Sequence, residues 1–187
     1  MNVYDFDKTI VDDDSTKLFL LYCLNKMPRK LLQGISDKLS ALYSFASGNE
    51  TVERFKEECF SFLSYVENPE VLVEQFWDSN MKHIEPWYLK QLRDDDLVIS
   101  ASPEFLVRPA CERLGISVIA TKMSPFSGKI LGANCKGEEK VRRFNAVCPG
   151  AHVEEFYSDS LSDTPMAKLA ERAFLIKNRT PVPWPEG

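Results

Sequence analysis

The sequence predicts an α/β fold: one early strand, a long all-helical insert, then strands alternating with helices. Three observations carry this reading. Short apolar runs occur at Asn2 to Phe6, Leu97 to Ile99, Ile116 to Ala120, Val153 to Tyr157 and Ala173 to Ile176. Helical signals separate the later runs, which is the pattern of parallel strands joined by crossover helices. Between Thr16 and His83 only helical signals occur.

Taken in order, Asn2 to Phe6 is a short strand that ends in acidic residues. Asp14 or Ser15 can cap a helix that starts near Thr16, with Leu18, Leu21 and Tyr22 on one face. Pro28 opens a second helix towards Ala46, Ser47-Gly48-Asn49 breaks it, and Thr51 opens a third. Asn68-Pro69 breaks again before a fourth helix over Val71 to Met81, and four successive helices predict a small bundle. Beyond Pro86, helices are expected at Trp87 to Arg93, Pro103 to Leu114, Glu138 to Val147 and Pro165 to Glu171. Gly115 is the expected stop of the second of these. The proline-rich tail from Thr180 to Gly187 reads as surface.

Composition narrows the function. A chain of 187 residues has room for one domain with a modest insertion and for a core that needs no staple. With 23 basic and 28 acidic residues the net charge is −5, and no basic run occurs, which argues against non-specific nucleic-acid binding. Only His83 and His152 are present, so a multi-histidine metal cage is excluded and carboxylates are left to carry chemistry. Five cysteines without a CxxC read as reduced packing thiols, and the start has no signal-like core, so the expected location is cytoplasmic. The apolar, basic stretch from Leu18 to Leu32 suits a bundle core better than a membrane surface.

Four constellations fall at predicted strand-to-helix junctions, the edge where α/β sheets build their sites. Asp5-Phe6-Asp7-Lys8-Thr9 places two carboxylates at a strand end, where a hard cation such as Mg²⁺ would relieve their repulsion. Ser100-Ala101-Ser102 precedes a helix N-terminus, which suits an anion such as phosphate. Lys140 lies on the first turn of a helix. Asp159 and Asp163 follow another strand.

Together, in this order, these residues resemble the haloacid dehalogenase-like hydrolases in their phosphatase branch. The subgroup is the one containing phosphoserine phosphatases and phosphatidylglycerophosphate phosphatases. Asp5 to Thr9 matches the first motif, Ser100 the second, Lys140 the third and Asp159-x-x-x-Asp163 the fourth. Lys136, four residues before Lys140, is the alternative third-motif lysine, and Lys140 is favoured because it lies further into the helix. The resemblance implies a Rossmann-like core over 1–13 and 86–187 and a helical cap over 14–85. It implies a Mg²⁺-dependent phosphatase acting on a small phosphorylated metabolite through an aspartyl-phosphate. Asp5 would be the nucleophile, Asp7 the general acid and base, and Lys140 the neutralising cation. Thr9, Ser100, Ala101, Ser102 and Lys140 would hold phosphate. Asp5, Asp7 through its carbonyl, Asp159 and Asp163 would form the metal set. Asp14, Arg54 and Lys56 are the candidates to face substrate. Asp14 stands where phosphoserine phosphatases carry a glutamate, one methylene longer, which argues against phosphoserine. Phe19, Tyr22 and Phe55 read as core rather than cleft. A phosphonatase on the same fold, or a phospho-accepting signalling module, is the alternative, and the chain is expected to be a monomer or dimer.

Overall fold

The computed structural model describes residues 1–32, 35–48 and 51–185. Strand β1 (Asn2–Tyr4) is followed by helices α1 (Ser15–Lys26), α2 (Pro28–Leu31), α3 (Ile35–Ala46), α4 (Val52–Phe60) and α5 (Pro69–Asn80). The rest alternates: α6 (Pro86–Leu89), β2 (Leu97–Pro103), α7 (Glu104–Leu114), β3 (Ser117–Thr121), α8 (Glu138–Val147), β4 (Val153–Ser158), α9 (Thr164–Ala167), β5 (Ala170–Lys177) and β6 (Thr180–Pro183). The six strands run in the order β3-β2-β1-β4-β5-β6, and only the β5/β6 pair is antiparallel.

Register explains the two cores. Val3 lies beside Leu97 and Phe156, and Tyr4 beside Val98 and Tyr157. Side chains alternate across a sheet. The first trio therefore joins the core under α8 and α9, and the second joins the core under α7 and the insert. On that second face Tyr4 stacks on Tyr157 at 4.9 Å, and Tyr157 on Phe174 at 4.8 Å. Trp77 of α5 is fully buried there and donates its indole N–H to the Leu106 carbonyl at 2.6 Å, tying the insert to α7.

Local chemistry sets the ends of the elements. Asp14 caps α1 by accepting from the Lys17 N–H, and Thr51 caps α4 by accepting from the Arg54 N–H. Gly115 ends α7 at φ 73°, a conformation open to glycine.

Four elements differ from the sequence reading. The helix expected from Pro28 to Ala46 is divided into α2 and α3; residues 33–34 of that span lie outside the described residues, as does Asn49 of the expected break. The helix expected over Trp87 to Arg93 is the single turn α6. The helix expected over Pro165 to Glu171 stops at Ala167, because Ala170 already pairs with Val153 as β5 begins. Of the tail, residues 180–185 are at the surface as expected, but Thr180–Pro183 forms β6, an edge strand where Pro181 and Pro183 need no outer ladder donor, and residues 186–187 lie outside the described residues. No helix among the described residues is long and apolar enough to cross a membrane.

Candidate active site

The chain leaves β1 and turns sharply. The Asp5 N–H extends the ladder to the Tyr157 carbonyl at 2.8 Å. The Phe6 carbonyl then accepts from the N–H groups of Thr9, Ile10 and Val11 at 3.4, 3.1 and 3.1 Å. Lys8 takes a left-handed φ of 53° to make this turn. Phe6 is fully buried and anchors the loop on Trp77, so Asp5 and Asp7 on either side of it face the cleft.

Lys140 is the centre of the site. Gly137, at φ 58°, starts α8 and brings Lys140, only 1% exposed, in over the sheet edge. Its ammonium donates to Asp5 Oδ1 at 2.6 Å and Asp163 Oδ2 at 2.7 Å. Burial opposes the charge on Lys140, but Asp5 and Asp163 outweigh it and hold its pKa above the usual value. Burial pushes the Asp5 carboxyl well above the usual carboxylate range; Lys140 opposes this, and Asp163 and Asp7 add to it. Asp163 also accepts from the Ser158 hydroxyl at 2.8 Å, so the same oxygen holds both partners.

Asp7 is held from two sides. The Ser15 N–H, at the first turn of α1, donates to Oδ1 at 2.7 Å, and the Ser102 hydroxyl donates to Oδ2. Burial and the Asp14 charge raise its pKa, against these two hydrogen bonds. Burial likewise raises Asp159, opposed by Lys8. The Asp159 N–H donates to Thr9 Oγ1 at 3.1 Å, which joins the first and fourth motifs.

A cleft of about 250 Å³ brings together Asp5, Asp7, Asp14, Ser100, Ala101 and Lys140. Asp159, Asp163 and the exposed Lys136 complete the expected set in the same cleft. Lys136 makes no contact with Asp5 among the described residues, so Lys140 is the lysine that the fold delivers to the carboxylates. Three expected residues stand elsewhere. Thr9 is fully buried behind the cleft, engaged by Asp159. Ser102 turns its hydroxyl to Asp7 and lines an adjoining pocket. Arg54 lines neither space. Phe19 and Tyr22 belong to the core, as expected, but Phe55 lines the adjoining pocket.

Lys56, a candidate from the sequence, also lines the cleft, and five further residues join it: Lys8, Val52, Asn134, Ser160 and Ser162. Lys8 follows Asp7 directly, and only its loop geometry turns it inward. Lys56 reaches from α4 across to the Ala101 carbonyl and to Asn134 Oδ1, both at 2.8 Å. Burial lowers its pKa, with Asp7 opposing. Asn134 sits in an irregular stretch with no periodicity to read. Among the described residues no three His, Cys, Asp or Glu side chains are grouped as a metal cluster.

Comparison with known proteins agrees with this fold. The profile of a family described as haloacid dehalogenase-like hydrolase matches residues 3–168. A histidinol-phosphatase of Neisseria meningitidis serogroup C (strain 8013) is 23% identical over 196 residues, covering 93% of this chain and 88% of that protein. A protein of unknown function from Bordetella pertussis Tohama I superimposes with a TM-score of 0.76 at 19% identity, over 94% of this chain and 88% of its own. A phosphoserine phosphohydrolase-like protein from Francisella tularensis subsp. tularensis SCHU S4 gives 0.62 at 14% identity, over 96% and 88%.

Proposed function

Because the chain belongs to the haloacid dehalogenase-like hydrolases, we propose that it is a Mg²⁺-dependent phosphatase of a small phosphate monoester. The observation that carries this is the buried Asp5–Lys140–Asp163 group, set in one cleft with Asp7, Asp159 and Ser100. The histidinol-phosphatase relative supports the same reading at the level of the reaction.

Phosphate esters hydrolyse extremely slowly unaided, and a covalent route divides the barrier. Lys140 holds Asp5 Oδ1, and Oδ2 is assigned the attack on phosphorus that forms an aspartyl-phosphate. Asp7 gives its proton to the departing alkoxide and then takes one from the water that cleaves the acyl phosphate. Ser102 and the Ser15 N–H fix the orientation of Asp7 for both transfers. Ser100, the loop at Ala101 and Lys140 hold the phosphoryl oxygens. Thr9 joins the two acidic loops.

The donor set suits Mg²⁺. Asp5, Asp159 and the Asp7 carbonyl are hard oxygens, and the raised carboxylates of Asp5 and Asp159 gain from a cation. Two carboxylates and a carbonyl match an ion that keeps several waters, and no larger cluster is needed. Asp163 supports the set indirectly, since it is committed to Lys140 and Ser158. Bound there, Mg²⁺ would neutralise charge on the phosphoryl group. We assign residues 14–85 as a cap that excludes water and reads the alcohol, on a core formed by 1–13 and 86–187.

The test is hydrolysis of p-nitrophenyl phosphate. Turnover should require Mg²⁺ and fall by at least about 10³-fold in Asp5→Asn; metal-independent turnover that survives this change would contradict the assignment. One observation favours a second reading, cleavage of a phosphonate: Lys56, a half-buried lysine of the proposed cap with lowered pKa, borders the cleft. Borohydride inactivation in the presence of a phosphono-aldehyde, absent in Lys56→Arg, would select that reading.

A further inference from the structure

A second pocket of about 560 Å³ opens from the catalytic cleft and shares Asp7, Lys8, Asp14, Val52, Lys56 and Ala101 with it. Beside Asp13, Thr16, Lys17 and Ser102, its own walls include an apolar face built from Leu20, Phe45, Phe55 and Cys59 of α1, α3 and α4. Phe45 and Phe55 stack at 4.8 Å and 12°, and both are only half-buried.

Several charged groups around this pocket already have partners, while Lys8 is exposed where the pocket meets the cleft. Lys17 pairs with Asp13 at 2.5 Å. Asp14 accepts from the Lys17 N–H at 2.9 Å. Lys56 is engaged on Ala101 and Asn134. No arginine lines the pocket among the described residues, so no guanidinium fork awaits a substrate carboxylate. The apolar walls, with the Lys8 ammonium at the junction, are what remains for an occupant. Asp7, the group that would meet the leaving oxygen, stands at the junction of the two spaces, so the occupant is the alcohol half of the ester.

We infer that the substrate is the phosphate ester of an alcohol with an apolar, ring-sized body, its ring lying against Phe55 and Phe45. This deepens the phosphatase reading and rests on it. A small zwitterionic ester such as phosphoserine would leave these walls wet and its carboxylate without an arginine.

The experiment compares kcat/KM for 2-phenylethyl phosphate and ethyl phosphate, two alkyl esters that differ by the ring. The wild-type chain should prefer the ring ester by about 10–100-fold, the range expected for burying one large apolar group. Phe55→Ala should remove most of that ratio, mainly through KM, and Phe45→Ala should lower it as well. Equal kcat/KM for both esters in the wild type, or a ratio intact in both variants, would overturn the inference alone. Turnover of neither ester, nor of p-nitrophenyl phosphate, would overturn the phosphatase reading and this inference with it.

Discussion

Ser102 makes the most specific contact around the acid–base group. It donates to Asp7 Oδ2, opposite the Ser15 N–H on Oδ1, so the carboxylate is gripped from two elements. A group positioned for proton transfer matters most when the leaving group is a poor one. In Ser102→Ala, kcat should fall about 10–100-fold for an alkyl phosphate but less than about threefold for p-nitrophenyl phosphate, whose leaving group needs little protonation. An equal loss on both esters would mean that Ser102 acts only on the fold. Most of the residues that line the cleft as proposed catalytic groups were legible as candidates because each chemistry-bearing type sat at a strand end. Ser102 was legible as a site residue but not in its role. A sequence does not distinguish a hydroxyl turned to phosphate from one turned to a carboxylate about a hundred positions away.

At the scale of elements, the two connections between the insert and the sheet pair with each other. Val11 and Ile84 form an antiparallel bridge, the Asp12 N–H donates to the His83 carbonyl at 2.9 Å, and the Glu85 N–H to the Ile10 carbonyl at 2.8 Å. Arg179, in the turn between β5 and β6, clamps this junction. It donates to Glu85 Oε1 at 2.6 Å and Oε2 at 3.1 Å and lies 3.4 Å from Asp12. Glu85 is 4% exposed, so removing its cation leaves a buried charge without its partner. Arg179→Ala should lower Tm by about 2–4 °C and raise KM, with Arg179→Lys recovering part of both. An unchanged Tm and KM would refute the clamp. The sequence offered no sign of it, because the tail read only as a proline-rich surface segment and its pairing with β5 is tertiary. Short apolar runs between helical signals made β2, β3 and β4 readable, whereas α9 is cut short by the strand pairing that follows it.

For the whole molecule, the sheet order puts the ends of β1, β2 and β4 side by side. That arrangement brings together residues as far apart in sequence as Asp5 and Asp163. The order of motifs along the chain predicted this edge; the pocket behind it, shaped by packing among α1, α3 and α4, was beyond any spacing argument. The central claim is that Asp5 carries the phosphoryl group and Asp7 governs its release. Asp7→Asn treated with radiolabelled p-nitrophenyl phosphate and Mg²⁺, then quenched in acid within one turnover, tests this directly. The account predicts a base-labile label, close to one per chain, on the peptide that contains Asp5. Substrate cleaved without any labelled protein, or a label on another residue, would contradict it.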